Sequence, residues 1–381
     1  MSRQPNSGHH EEEQHALEFS YMYGYPLLEY VKYVACYPKA STNTLYHDRK
    51  LSTLDDLKVI RPNVDTLYST IFIDLSSHDL EVTVPSIPGR YWVFPFYDPY
   101  GNDIGNIGSL QGHKPGKYLI HMTPVKRLDS QPMAPSLDLS LLTSPAFRVS
   151  DENSAEHVVL ALTAAFTAYN QSATDLSHIH GYAEDQAVKL ARSPNGRQEY
   201  GNGWSELYPA CKGNFNSFYQ ARYIIGKKGY LALKKDQAIY PSLAGPLMIG
   251  AKDAILLRFS RRPALIPSGF WSLTAYNSEQ CLVPNKINRY CLGDRDDMRF
   301  ADGSPLADHT KDGEFHILLQ PADLPPPSEW LNNRLTAPAG GGKTSITMRW
   351  YGAMEETMSG SYEYPRIEYI SAITESSVSR M

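Results

Sequence analysis

Little in this chain serves cross-linking or redox chemistry. Its 381 residues hold four cysteines, Cys36, Cys211, Cys281 and Cys291, too few and too scattered for a disulfide scaffold or a CxxC site. Charge of one sign is scarce too: the formal net charge is −5, and apart from HHEEEQH the acidic and basic residues are interspersed. That leaves no basic face for nucleic acid or for an anionic membrane. No apolar run approaches the ~20 residues of a membrane-spanning helix. The opening MSRQPNSGHHEEEQH has no apolar stretch of the kind a signal peptide needs. The expectation is a soluble, cytoplasmic chain in a reducing setting, with no nucleic acid and no membrane as partner.

Cofactor signatures are equally thin. AGGGKT (339–344) imitates a phosphate loop, but Ala337 stands where the first glycine is needed and the strand-like SITMRWY follows where a helix should. No GxGxxG opens a βαβ unit and no GxSxG is present, so neither a dinucleotide nor a serine nucleophile has a seat. HIHGYAE (178–184) spaces His178, His180 and Glu184 like the metal ligands of cupins. Those ligands need a strand, whereas this segment lies between helical patterns, and Ser172 and Ala191 replace the glycines at the motif's ends. Nothing fixes His157 or Asp175 as a further donor. The expected cofactor is none, and the expected metal is none.

What the chain does have is tyrosine, 26 against 12 Phe and 5 Trp, an excess that suits sheets and half-buried pocket walls. Its length makes two domains the default. Residues 1–14 read as a disordered tail, and 15–150 as a helix, broken near GYP (24–26), followed by short aromatic strands such as EVTVP, RYWVFPFYD and KYLIHMTP. Residues 151–245 read as helical. SAEHVVLALTAAFTAYNQ puts Val158, Leu162, Phe166 and Tyr169 on one face, and helices are also expected in AEDQAVKLARSPNG and FNSFYQARYIIGKKGYLAL. Residues 246–381 return to strands, AILLRFS, FWSLTAY, EFHILLQ and TSITMRWYG. The expected fold is mainly β with helices, two jelly-roll-like antiparallel β-sandwiches joined by a helical segment.

The run GFWSLTAYNSEQCLVPNKINRYCLGDRDDMRFADGS, with NNRLTAPAGG and SITMRWYGAMEE, resembles the family catalogued as domain of unknown function 1214. RPNVDTLYSTIFIDLS, GRYWVFPFYDPYGNDIGNIG and GKYLIH resemble its usual N-terminal companion, domain of unknown function 1254. The resemblance spans about residues 15–370 and implies the twin-sandwich fold, not an activity. A further likeness, to fungal relatives that tailor natural products without cofactors, implies dehydration and pericyclic ring closure of the hetero-Diels–Alder type.

Three polar constellations are candidates for chemistry. In RPNVDTLY, Pro62 fixes a turn, and Arg61, Asn63, Asp65 and Tyr68 are placed either to hold that turn or to face a ligand. FYDPYGNDIG offers Tyr97, Asp98, Tyr100 and Asn102 in turn-rich surroundings. NKINRYCLGDRDD offers Asn288 and Arg289, while Asp294 and Arg295 read as a loop-pinning pair. Trp271 is a further wall candidate. It lies five positions from Tyr276, so the two point to opposite faces of a regular strand. The catalytic candidates are Asp65, Tyr68 and Asp98, and the substrate-binding candidates are Arg61, Asn63, Tyr97, Tyr100, Asn102, Trp271, Asn288 and Arg289.

The functional expectation is a cofactor-independent lyase or isomerase acting on an apolar, oxygenated small molecule. A buried acid would protonate a leaving hydroxyl while phenols and amides hold the oxygen. The alternatives are a non-catalytic small-molecule or carbohydrate binder and a structural, stress-related homo-oligomer. A deep apolar pocket with a buried carboxyl separates the enzyme from a shallow aromatic groove or a flat self-complementary face.

Overall fold

The computed structural model describes residues 7–37, 41–55, 58–121, 136–138, 177–194, 196–208, 212–213, 215, 218–243 and 245–375. The helix expected over 154–171 falls outside them, as do His157, Ser172 and Asp175.

Alternation in two long strands organises the C-terminal half. In strand Leu265–Tyr276, Trp271, Leu273 and Ala275 point one way while Phe270, Ser272, Thr274 and Tyr276 point the other. Strand Gly342–Ala353 pairs antiparallel with it, Trp271 opposite Trp350, Ser272 opposite Arg349 and Tyr276 opposite Ser345. Their apolar sides, with Ile346, Met348 and Trp350, pack on Ile255, Leu257, Phe259, Ile317 and Leu319. These last come from strands Asp253–Phe259 and Phe315–Pro321 of a second, four-stranded sheet. One apolar layer between two sheets makes this half a β-sandwich. The larger sheet runs on through Ser242–Leu243, Trp204–Leu207 and Arg197–Gly201, so residues from the expected helical segment complete it.

The N-terminal half has smaller sheets. Strand Leu80–Val84 pairs with Gly116–His121, Val93–Tyr97 with Asp103–Gly108, and Leu45–His47 with Ser69–Ile71. Val84, Phe96, Ile107, Tyr118 and Ile120 form their core. The chain is thus mostly β with a few helices, and its sheets are largely antiparallel. Two pairings are parallel: Phe315–Pro321 with Arg334–Ala337, and Gly116–His121 with Ser136–Asp138.

Helices α1 (Ser7–Ala35), α2 (Ser177–Arg192) and α3 (Tyr219–Gly229) meet through Met22, Ala183 and Tyr223. A short α4 (Glu355–Ser359) ends at Gly360, whose φ of 84° is the left-handed turn that stops it. Two expectations are corrected in α1. It starts at Ser7, inside the stretch read as disordered, because the EEEQ run favours helix and the turns beyond it dock on α2 and α3. It also passes through Pro26 unbroken. Proline removes an N–H and leaves carbonyls one turn back short of a donor. Here the Arg222 guanidinium donates to the Tyr23 carbonyl at 3.1 Å, next to the Met22 carbonyl that Pro26 leaves without its N–H, and stacks over the Tyr23 ring, pinning α1 to α3 at this turn. Among the described residues no helix is long and apolar enough to cross a membrane.

Candidate functional site

The outer face of the larger sheet is polar, and it is covered rather than solvated. Thr347, Arg349 and Tyr351 stand there on alternate positions of Gly342–Ala353, and all three are buried. Arg349 donates to Thr274 Oγ1 at 3.0 Å and Tyr276 Oη at 2.6 Å on the neighbouring strand, and to the Arg61 carbonyl at 2.8 Å. Burial alone would lower Arg349, but the phenols of Tyr276 and Tyr351 outweigh it and hold the guanidinium above its usual range. The lid on this face is the 61–68 loop.

That loop is turn and wall at once. Asn63 Oδ1 accepts from Asp65 N at 3.0 Å, closing an Asx-type turn, while its Nδ2 donates to Tyr351 Oη at 2.6 Å. Tyr276 Oη donates to the Pro62 carbonyl at 3.1 Å. Arg61 holds a left-handed backbone, φ 52°, which costs a non-glycine residue about 1 kcal/mol. Its side chain is caught by Gln280 Oε1 at 2.6 Å, Thr347 Oγ1 at 3.2 Å and Ser345 Oγ at 3.3 Å.

Between loop, sheet and helices lies a cavity of about 2140 Å³, larger than the roughly 300–1,000 Å³ of common ligand sites. Aromatic side chains form much of its wall, among them Tyr30, Tyr33, Tyr91, Tyr97, Phe270 and Tyr351. Phe270 and Tyr351 stack at 4.3 Å, with Tyr91 tilted against the pair at 5.2 Å from Tyr351. Tyr68 has 40% of its surface accessible, yet burial raises its phenol to about 12. Both statements hold because its free surface faces the cavity and not bulk water.

Among the acidic groups on its wall, Asp65, Glu206 and Asp294 are in different states. Asp65 keeps both carboxylate oxygens buried, and neither accepts a hydrogen bond from a described residue. The Arg295 guanidinium stands 3.4 Å from Asp65 Oδ1, within ion-pair reach but outside hydrogen-bond geometry, and donates to the Asp65 carbonyl at 2.8 Å. Arg295 also lies over the Phe270 ring at 4.0 Å. Glu206 is the opposite case, bonded by Lys212 Nζ at 2.5 Å and by Tyr240 N at 2.5 Å. Asp294 is delivered by an edge strand that closes on Ser272 through Gly293. A β-carbon at Gly293 would sit 2.1 Å from the Trp271 carbonyl oxygen, so only glycine fits.

Burial raises Asp294 to about 6, with the nearby Asp65 charge adding to the rise. An acid held above its unfolded value of 3.8 stabilises the fold below about pH 4 and loses that contribution as pH rises through about 6. Replacing Asp294 by Asn is expected to flatten the urea-midpoint profile between those limits by about 1–2 kcal/mol, discounted for partial exposure. A variant profile parallel to the wild type would contradict this assignment.

The sequence-derived candidates divide. Arg61, Asn63, Asp65, Tyr68 and Tyr97 line the cavity, and Tyr97 Oη donates to the Leu231 carbonyl at 2.7 Å. Asp98 also borders it, but its Oδ1 accepts from Tyr100 N and Asn102 N, both at 2.9 Å, and its Oδ2 from Asn102 Nδ2 at 2.7 Å. Its carboxylate is committed to a turn, although burial still holds it above its usual range. Asn102 spends its Oδ1 on Phe215 N, and Tyr100 packs edge-on to Tyr23 beneath Arg222. Trp271 is 1% exposed in the sandwich core between Phe259 and Phe315, because strand parity gives the polar face to Tyr276. Asn288 sits in a left-handed turn, φ 49°, and the Arg289 guanidinium is bonded to the Leu331 carbonyl, so neither reaches the wall. Glu184 of the HIHGYAE motif is taken by Tyr223 and Lys227, and His180 by Tyr21.

Several cavity-lining positions are not singled out by the sequence: Arg349, Tyr351, Tyr240 and the Lys212–Glu206 pair. Asp294 and Arg295 were assigned to a loop and instead border the cavity.

Residues 42–149 match the family described as Protein of unknown function (DUF1254), and residues 244–355 that described as Protein of unknown function (DUF1214). The crystal structure of the VPA0106 protein from Vibrio parahaemolyticus is similar at a TM-score of 0.53 and 18% identity, covering 94% of this chain and 100% of that one. That likeness concerns the fold. Among curated proteins none matches the sequence.

Proposed function

The chain belongs to the tandem DUF1254–DUF1214 family, whose descriptions name no activity, and we propose its function from the chamber itself. It is an enzyme of the lyase or isomerase type that converts an apolar, oxygenated small molecule inside the aromatic cavity, using side chains alone. The observation that carries this reading is Asp65, a buried carboxyl group on the wall of that cavity with no donor committed to it. A carboxyl group whose oxygens accept no hydrogen bond from a described residue can exchange a proton with a molecule bound against it, with Arg295 3.4 Å from one oxygen.

In the proposed reaction Asp65 gives its proton to the leaving hydroxyl, the C–O bond breaks and water departs. The Asp65 carboxylate then takes a proton from the neighbouring carbon, whose C–H electrons become the new C=C bond, so that the acid is regenerated. The phenols of Tyr68 and Tyr351 donate hydrogen bonds to the oxygen on which charge gathers. Loss of water or ring closure then depends on how the stacked walls fold the remaining skeleton and keep solvent out. A chamber this large accepts a polycyclic product or two reacting partners.

The test is turnover of a small-molecule extract from the source cells, read by mass spectrometry for products that have lost water or kept their mass. Asp65→Asn is expected to slow conversion about 100-fold and Tyr68→Phe about tenfold, with the fold intact by circular dichroism. Equal rates for wild type and Asp65→Asn would remove Asp65 from the reaction. Molecules that bind and are recovered unchanged from wild type would make the chamber a carrier site.

A further inference from the structure

We infer that the molecule taken by this chamber is an acid: an apolar skeleton carrying a carboxylate or an equally acidic enol, seated with its negative oxygen against Arg61, Arg349 and Lys228. The inference rests on the proposal that the chamber binds a small molecule, and it specifies that molecule's charge.

It follows from pairing around the cavity. Most carboxylates on the wall have basic partners: Asp48 has Lys58, Glu81 has Lys117, Glu184 has Lys227, Glu206 has Lys212 and Asp65 has Arg295, while Asp98 is held by its own turn. Asp294, which accepts from Trp271 N at 3.4 Å, also feels Arg295. The basic groups are not balanced in return. Among the described residues neither Arg61 nor Arg349 makes an ion pair. Their donors go to Gln280, Ser345, Thr347, Thr274, Tyr276 and backbone carbonyls, all neutral acceptors. These bonds fix the two guanidiniums without cancelling their charge. Lys228, at the end of α3, lines the same space. Its side chain is exposed towards that space; desolvation and Arg61 lower it, while Glu184 opposes them. Burial and then Arg349 act on Arg61 in the same direction, although Tyr276 opposes them. Three cations therefore line the same aromatic chamber, and Arg61 and Lys228 each feel a like-charged neighbour.

Burying uncompensated cations is costly, and an incoming anion relieves that cost. Neutral hydrogen-bond partners also leave the two planar groups already oriented, so little ordering is needed when the anion arrives. On the same sheet face as Arg349, the Phe270–Tyr351 pair with Tyr91 adds aromatic wall beside these cations. Cations and aromatic wall together select an amphiphile with an acidic head.

The experiment compares 2-naphthoate with its neutral isostere 2-naphthamide by fluorescence polarisation, on wild type, Arg61→Gln and Arg61→Lys. Wild type is expected to bind the acid at least about tenfold more tightly than the amide. The preference should shrink with added salt, fall to near parity in Arg61→Gln and return in part in Arg61→Lys. Equal affinity of acid and amide for wild type overturns the charge assignment and leaves the chamber as a binding site. Failure of both probes to bind overturns the binding reading as well. The wild-type comparison decides the matter even if Arg61→Gln does not fold.

Discussion

Replacing Lys212 by Met is expected to cost about 3–5 kcal/mol of stability, read as a fall in the urea midpoint. The reason is geometry rather than strength of attraction. Lys212 and Glu206 are each 2% exposed at the side chain, so removing the ammonium strands a carboxylate where water cannot reach it. Lys212 also donates to the Ala238 carbonyl at 3.0 Å and lies over the Tyr240 ring, so it ties the loop before α3 to the edge of the large sheet. Burial pulls Lys212 down from its ordinary value even with Glu206 beside it, which shows how fully the pair is desolvated. The double variant Lys212→Met, Glu206→Gln should recover about half of the loss, because the amide keeps an acceptor for Tyr240 N and carries no charge. No recovery in the double variant would mean that lost packing, not the stranded carboxylate, sets the cost.

Arg349→Leu is expected to be of similar size, at least about 3 kcal/mol, with a different signature. One guanidinium bridges Thr274, Tyr276 and the Arg61 carbonyl, so its loss frees the lid from the sheet while both sheets stay paired. Amide hydrogen exchange should accelerate at residues 61–68 and remain slow in Trp271–Ala275. Arg349→Lys should restore little, since an ammonium cannot span three acceptors lying in different directions. Uniform acceleration across the C-terminal sandwich would argue instead that Arg349 supports the sheet as a whole.

These two residues also mark where sequence reading stops. The strands were legible, and so was the alternation in SITMRWY, where Ser345, Thr347, Arg349 and Tyr351 interleave with Ile346, Met348 and Trp350. A polar strand face ordinarily meets water. This one is roofed by a loop whose bond to it spans 288 positions, and no local pattern announces such a partner. Asp98 failed for the converse reason. Its turn chemistry was written in DPYGN, and that chemistry uses up the carboxylate it made available. Strand parity had already said that Trp271 and Tyr276 cannot share a face, and the apolar core took the tryptophan. In α1 the helix continues through a local breaker, and the turn before it is pinned by Arg222, from a helix almost two hundred residues away.

The wall of the chamber is assembled from separate stretches of chain. Tyr30 and Tyr33 precede the DUF1254 match, Arg61 and Asp65 lie within it, Lys212 and Lys228 fall between the two matches, and Arg349 and Tyr351 belong to the second. Neither catalogued region is therefore a portable module. A recombination event that joined the front of one relative to the back of another would have to carry the intervening helix and both faces of the seam together, so ancestry should show these pieces travelling as a single inherited block.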